Sequence, residues 1–149
     1  MLTADDRLEM LDLIHRYNWF ADARDVPATL AEYTADGAIT GDFAAGPGPS
    51  FGADLARVFA SEGTLKRHVA CNVRVAPGDA ASVVVAYVLL VVEAGAAPAV
   101  AATSVIRDEL RKEDGRWKVH RHRVRIDPGL RDAPVAAGML PRDADPPDA

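Results

Sequence analysis

The sequence is poor in several features by which large classes of protein are recognised. Its 149 residues include one cysteine, Cys71, which cannot form an internal disulfide. The longest apolar run, residues 80–92, is shorter than the roughly 20 residues that span a membrane as a helix, and it is closed by Glu93. The first residues, MLTADDRLEM, lack the basic, apolar and small-residue order of a secretory signal. We therefore expect a cytoplasmic protein without a membrane segment.

Basic residues are outnumbered by acidic ones. Lys and Arg number 17 against 22 Asp and Glu, which gives a formal net charge of -5, whereas nucleic-acid binding depends on clustered cations that displace counterions. The segment GPGPS has prolines where a phosphate-binding loop needs backbone N–H donors. Neither nucleic acid nor a nucleotide cofactor is expected.

Apolar residues make up 49% of the chain, enough for one buried core in a single domain. A capping-box pair, Thr3 and Asp6, precedes apolar residues at helical spacing, and the turn signal ADG separates a second short helix from the first strand. Valine-rich runs then predict strands joined by turns at APGD and EDG and by a Gly/Pro/Ala break. The predicted elements are helices over residues 4–23, 27–33 and 50–63, and strands over 38–41, 66–75, 81–93, 100–113 and 116–127.

This order of elements predicts an α+β domain over residues 1–127. Its curved antiparallel sheet is expected to wrap around the N-terminal helices as a cone-shaped barrel with an internal cavity, because consecutive strands with short turns form a meander. Residues 128–149 are rich in Pro, Asp and Ala and hold too few large apolar side chains for a core. We expect them to form an irregular tail.

Four segments, RYNWFADARD, TADGAI, RHVACNV and DGRWKVHRHRVRID, together with the order of elements resemble the SnoaL-like branch of the nuclear-transport-factor-2-like superfamily. The resemblance covers residues 4–127. That branch includes scytalone dehydratase, polyketide cyclases and relatives of ketosteroid isomerase. It implies the fold but leaves the reaction open, since such folds also serve dehydrochlorinases, epoxide hydrolases and non-catalytic subunits.

The resemblance also implies a catalytic pair. Dehydratase-like members pair an Asp near the end of the first helix with a His on the strand after the third, and Asp22 and His68 hold those places here. A carboxylate that accepts an imidazole N–H fixes the tautomer and leaves the other nitrogen free to take a proton. Tyr17 resembles the aromatic that lines the cavity, where its hydroxyl could stabilise enolate charge. The residues alone also allow a water-facing Asp22 and a core histidine.

Two further positions are candidate substrate contacts. Asn72 lies four residues after His68 on one predicted strand, so its amide is expected on the same face, lining the cavity. A polar contact in the core would explain Asn72 equally well. Trp19 lies near Asp22 on the first helix and is a weaker candidate, because packing accounts for it as well.

The last strand, KVHRHRVRID, combines arginines with two histidines. Arg123 or Arg125 is expected to enter the cavity and hold an oxyanion, while the other arginines pair with Asp108, Glu109 or Glu113. The spacing of the histidines could suit a metal, but no third His or Cys accompanies them, so no metal site is expected. Alternation predicts two faces, one with Trp117, Val119, Arg121, Arg123 and Arg125 and the other with His120 and His122.

The function predicted from these residues is that of a cofactor-independent lyase or isomerase of the dehydratase or cyclase type. His68 would remove a proton next to the carbonyl of a small hydrophobic or polyketide-like molecule. A non-catalytic ligand-binding or partner subunit is the alternative from another class. An epoxide hydrolase is a third possibility, but it would need two carboxylates bridged by an arginine, and only Asp22 is a clear candidate.

The same alternation predicts an apolar outer face of the sheet. A surface of this kind is too large to leave in water, so we expect a homodimer packed through it. The residues predicted to face outward are Val69, Cys71, Val73, Val75 and alternate valines of SVVVAYVLLVV.

Overall fold

The computed structural model describes residues 1–61, 65–76, 81–93 and 97–127. The predicted helix end at Gly63, residues 77–79 of the APGD turn, residues 94–96 of the Gly/Pro/Ala break and the tail at 128–149 lie outside the described residues. The elements are helices α1 (Ala4–Asp22), α2 (Val26–Ala31) and α3 (Phe51–Ser61), and strands β1 (Tyr33–Gly41), β2 (Lys66–Val75), β3 (Ser82–Glu93), β4 (Ala99–Glu113) and β5 (Arg116–Ile126).

The five strands form one sheet in the order β1-β5-β4-β3-β2. Strands β2 to β5 pair antiparallel with their sequence neighbours, as the short turns predict, and β1 pairs parallel with β5. The buried face of the sheet and the helices enclose a single apolar core. The predicted α+β class is therefore confirmed. Among the described residues, no helix has the length and apolar character needed to cross a membrane.

The first helix is fixed at its start by the predicted capping box. Thr3 Oγ1 accepts the Asp6 backbone N–H at 3.1 Å, and Thr3 N donates to Asp6 Oδ2 at 2.9 Å. Asp6 Oδ1 also accepts from Lys112 Nζ and Trp117 Nε1, both at 2.9 Å, which joins α1 to β4 and β5. These donors, Lys112 first, hold the pKa of Asp6 well below its ordinary value. One carboxylate thus fixes where the helix lies on the sheet.

The second helix and first strand differ from their predicted bounds. Asp25 caps α2 by accepting the Ala28 N–H at 3.0 Å, as predicted, but α2 ends two residues before Tyr33, which begins β1. Pairing with β5 breaks off after Tyr33 and resumes at Ala38. The segment ADG lies in this interval, so the predicted turn interrupts the pairing of β1 with β5 and does not precede the strand.

Strand β2 contains a β-bulge. Cys71 pairs with Val88 and Arg74 with Ala86, so β2 has one more residue than β3 between these pairs. Asn72 lies in this interval with a left-handed backbone, at φ 54°. An extra residue reverses which side chains face the core beyond it.

This bulge overturns three predicted orientations. His68 lies on the inner side and Val69 on the outer side, as alternation predicts. Asn72 is exposed, whereas Val73 and Val75 pack against the core. The predictions that Asn72 lines the cavity and that Val73 and Val75 face outward are therefore wrong, because strict alternation ends at the bulge.

Strand β5 contains a second bulge. Val119 pairs with Leu110 and Arg121 with Glu109, so His120 has no counterpart on β4. The inward residues are Trp117 and Val119 before the bulge and His122, Val124 and Ile126 after it. The prediction that the arginines share a face with Trp117 and Val119 is therefore wrong.

Candidate functional site

The predicted contact between Asp22 and His68 is present. Asp22 Oδ1 lies 2.6 Å from His68 Nδ1, with side-chain exposures of 13% and 17%. The same carboxylate accepts the backbone N–H of His68, at 3.1 Å to Oδ1 and 3.2 Å to Oδ2. Because Asp22 ends α1 and His68 lies near the start of β2, the carboxylate fixes both the ring and the strand that carries it. The ring nitrogen left for a ligand is Nε2.

A cavity of about 80 Å³ lies on the inner side of this pair. Its lining is mainly apolar, and its polar groups are two imidazoles, one phenol and one amide. The lining residues are Tyr17, Asn18, Ala21, Ile39, Phe43, Ala44, Ala45, Leu55, Val58, Phe59, His68, His122 and Val124. They come from α1, α3, three strands and the loop after β1, so the cavity depends on the whole domain.

His68 also borders a cleft that opens on the outer surface. The other residues of the cleft are Trp19, Asp22, Ala23, Arg24, Leu65 and Arg67. The side chain of His68 thus lines both the apolar cavity and the cleft. A molecule that reached it could place its reacting part in one and the rest in the other.

Tyr17 lies in the cavity wall, as the resemblance implies. Its hydroxyl accepts a hydrogen bond from the Tyr33 hydroxyl at 3.1 Å, and its ring lies 4.9 Å from the His122 ring. Burial, followed by the neighbouring Tyr17, raises the pKa of Tyr33 well above its ordinary value, so Tyr33 stays a neutral donor.

A second histidine of the cavity wall, His122, is also paired with a carboxylate, that of Asp108. His122 Nδ1 is 2.7 Å from Asp108 Oδ1, and their side chains are 6% and 1% exposed. The two residues are directly paired across β5 and β4. The prediction that Asp108 pairs with an arginine is wrong, because the bulge at His120 turns His122 to the inner face and the arginines away from it.

The remaining predicted contacts lie elsewhere. Trp19 is 74% exposed in the outer cleft and does not line the cavity, because two residues after Tyr17 is nearly the opposite side of a helix. Arg125 is exposed and Arg123 half-buried, on the face away from His122. Neither arginine lines the cavity, contrary to the prediction that one of them enters it.

Sequence reasoning missed Asn18 as a polar group of the cavity, and it missed the pairing of His122, another polar group of the cavity, with Asp108. Asn18 is 5% exposed, and its Nδ2 donates to the Ile14 carbonyl at 2.8 Å. Its signal was a polar residue beside Tyr17 on the apolar face of α1. His122 and Asp108 gave a weaker signal, since their pairing depends on a bulge. Within the described parts of the chain, no three His, Cys, Asp or Glu residues lie where they could hold a metal ion.

Comparison with known proteins agrees with this architecture. The family model of the SnoaL-like domain matches residues 2–123. No protein with a curated description matches the chain significantly.

Three solved structures illustrate the similarity. A protein of unknown function with a cystatin-like fold from Nostoc punctiforme is 28% identical, with a TM-score of 0.74 over 87% of this chain and 96% of that one. ActVI-ORFA from Streptomyces coelicolor is 21% identical, with a TM-score of 0.73 over 82% and 95%. A protein provisionally assigned as a scytalone dehydratase, from Novosphingobium aromaticivorans, is 16% identical, with a TM-score of 0.71 over 99% of both chains. The family model covers most of the chain and these folds agree with it, so the chain belongs to the SnoaL-like domain family.

Proposed function

We propose that this protein is a cofactor-independent lyase or isomerase of the dehydratase or cyclase type, acting on a small carbonyl compound. The observation that carries the proposal is the 2.6 Å contact between Asp22 and His68 at the wall of an apolar cavity. An imidazole whose Nδ1 donates to a carboxylate has its Nε2 lone pair available as a base. The fold shared with the protein provisionally assigned as a scytalone dehydratase supports the same reaction class.

In the proposed reaction, His68 Nε2 removes a proton from the carbon next to the carbonyl. The electron pair of the broken C–H bond moves onto the carbonyl oxygen and forms an enolate. Tyr17 is suited to stabilise that oxygen, because its phenol lines the cavity and a phenol hydroxyl can donate to developing enolate charge. The enolate then collapses, and a hydroxyl leaves from the neighbouring carbon or a proton returns to another carbon.

The size of the cavity limits what can react there. Its volume of about 80 Å³ is smaller than the cavity of roughly 150 Å³ that holds benzene in an engineered protein. Only the reacting carbons and the carbonyl of a substrate would fit without movement of the walls. The rest of the molecule would occupy the cleft between Trp19, Leu65 and Arg67.

The test uses two β-hydroxy ketones, diacetone alcohol and the aldol adduct of benzaldehyde and acetone. Proton NMR in deuterated water follows two processes. Exchange for deuterium removes the signal of the protons on the carbon next to the carbonyl, and elimination of water gives the signals of the unsaturated ketone. We expect wild type to accelerate one or both processes. His68→Asn, which keeps a donor to Asp22 but has nothing at the place of Nε2, should slow them by about a hundredfold or more.

The matched control is His15→Asn, because His15 is an exposed histidine of α1. It should behave as wild type. Acceleration that survives in His68→Asn would assign the chemistry to another group. If wild type accelerates neither process, the alternative of a non-catalytic ligand-binding subunit becomes the better account.

An epoxide hydrolase is less well supported. That reaction would need an arginine between two carboxylates, whereas Asp22 contacts His68 and Asp108 contacts His122. The arginines of β5 lie on the other face of the strand.

We also propose that the protein forms a homodimer through the outer face of its sheet. Val69, Val84, Val100 and Val105 are between 39 and 58% exposed, and solvent-facing valines on neighbouring strands form an apolar patch. Sedimentation should give a dimer at micromolar concentration, and Val105→Glu should shift it toward monomer. A wild-type protein that sediments as a monomer would contradict this interface.

A further inference from the structure

We propose that His122, oriented by Asp108, is a second catalytic group that gives a proton to the leaving hydroxyl, so that the reaction is a dehydration with separate base and acid. This inference rests on the function proposed above. Its support is the 2.7 Å contact of Asp108 with His122, whose side chain lines the same cavity as that of His68.

The burial of this pair is difficult to explain by stability alone. The side chain of Asp108 is 1% exposed and that of His122 is 6% exposed. Removing a carboxylate and an imidazole from water costs free energy that their contact only partly returns, and apolar residues of similar volume are often as stable in such places. His122 lines the cavity and its ring lies 4.9 Å from the Tyr17 ring, where a group able to exchange protons has a use.

His120 provides the contrast within the same strand. It is also buried, at 3% exposed, but its Nδ1 contacts the Thr34 hydroxyl at 3.1 Å and Asp36 at 3.2 Å. Asp36 is exposed, and His120 does not line the cavity. His120 therefore has a structural explanation that His122 lacks.

The two pairs present the same chemistry from different walls. In each, a carboxylate engages Nδ1, so Nε2 is the nitrogen left for the substrate. An imidazole in this setting accepts a proton at Nε2 when neutral and donates one when charged. His68 adjoins the cleft by which a substrate would enter, while His122 is buried and lines only the cavity. The base and the acid can thus act on different atoms of one bound molecule.

The proton balance suits the loss of water. His68 takes a proton from carbon, and the electron pair forms the enolate. When the enolate collapses to the unsaturated ketone, the carbon–oxygen bond to the hydroxyl breaks, and the His122 imidazolium gives its Nε2 proton to that oxygen. Water leaves, His68 ends protonated and His122 neutral, and exchange of one proton through solvent restores both. A reaction that only moved a proton between carbons would not require the second pair.

The experiment separates the two proton transfers. The same β-hydroxy ketones in deuterated water report exchange at the carbon next to the carbonyl, which needs the base, and formation of the unsaturated ketone, which also needs the acid. We expect His122→Asn, which keeps a donor to Asp108, to slow elimination by about a hundredfold or more while exchange stays within about threefold of wild type. His68→Asn should lose both.

Matched variants distinguish chemistry from folding. His120→Asn should retain both processes. His122→Gln, which places an amide nitrogen near the position of Nε2 but cannot release a proton, should reproduce the loss of elimination if His122→Asn does not fold. Asp108→Asn should lower the ratio of elimination to exchange by a smaller factor, as expected of a positioning residue.

Each outcome decides one question. If the foldable His122 variant eliminates water as fast relative to exchange as wild type does, the second pair is structural and this inference is wrong, although the proposed function stands. An equal loss in His120→Asn would attribute the effect to the packing of β5 and would also overturn it. If wild type shows neither process, the proposed function fails and the second pair fails with it.

Discussion

Replacement of Asp22 by Ala and by Asn should separate two effects of one carboxylate. In the structure it accepts the backbone N–H of His68 at 3.1 Å and the ring Nδ1 at 2.6 Å. A hydrogen bond to a charged group contributes about 1.5–3 kcal/mol, and partial exposure of both side chains favours the lower end. Asp22→Ala loses both bonds and should destabilise the fold by about 3 kcal/mol. For a domain of this size that is a fall in Tm of roughly 10 °C.

Asp22→Asn keeps an amide oxygen for the backbone N–H but lacks the charge that holds the ring. Its cost should be about 1–1.5 kcal/mol, or roughly 5 °C in Tm. The proposed proton abstraction should nevertheless fall by about a hundredfold or more in both variants, because neither holds the tautomer in which Nε2 is the base. Thermal unfolding by circular dichroism and exchange by NMR measure the two effects independently. Asp12→Asn, at an exposed position of α1, is the matched control.

Two results would refute this reasoning. Equal losses of stability in the Ala and Asn variants would mean that the backbone bond does not contribute separately. An Asp22→Ala variant that unfolds within about 2 °C of wild type would mean that this contact does not hold β2 against α1, since two lost bonds must exceed that shift.

Three further predictions concern the frame of the site. The pKa of Asp6 is depressed, chiefly by Lys112, so the stability that its carboxylate contributes is complete above the ordinary pKa of 3.8 and is lost as the pH falls below it. Asp6→Asn should therefore make stability depend less on pH in the acid range, as measured by tryptophan fluorescence. An unchanged dependence would contradict this. Gly41→Ala would place a Cβ 2.1 Å from the Val124 carbonyl oxygen at φ +94°, so denaturant titration should show a fall of about 2 kcal/mol or more in the free energy of unfolding. The control is Gly115→Ala, where a Cβ meets nothing within 4 Å, and it should lose about 1 kcal/mol. Asn72→Gly should be tolerated at φ 54°, while Asn72→Val should destabilise the fold by about 1–2 kcal/mol without changing proton exchange in the folded protein. A slower reaction in a fully stable Asn72→Gly variant would mean that the Asn72 side chain does contribute to the site.

Much of the fold could be predicted because the relevant signals are local. The capping pair Thr3 and Asp6 starts α1 where the sequence places it, and the predicted bounds of β2 match Lys66–Val75. The contact between Asp22 and His68 joins residues 46 positions apart, and no spacing in the sequence implies it. Its prediction came from the family resemblance, and the structure confirms the contact while the catalytic role stays a proposal.

The orientations that failed share one physical cause. Alternation predicts a strand's faces only while each residue has one partner, and both β2 and β5 carry an extra residue. Asn72 was a usable signal, since asparagine tolerates the left-handed backbone that this bulge adopts. His120 gave no such signal. A bulge there depends on the pairing of β5 with β4, which tertiary contacts decide.

The bulge at His120 determines which chemistry the cavity contains. With strict alternation from Trp117, the inner face of β5 would carry Arg121, Arg123 and Arg125, and a permanently charged guanidinium would face the substrate. One additional residue replaces these with His122, whose imidazole can donate or accept a proton. The cavity thereby acquires a group that can transfer a proton as well as bind an anion. Since Asp108 lies opposite His122 only in this register, the pair and the bulge depend on each other, and a shift of one residue would separate them.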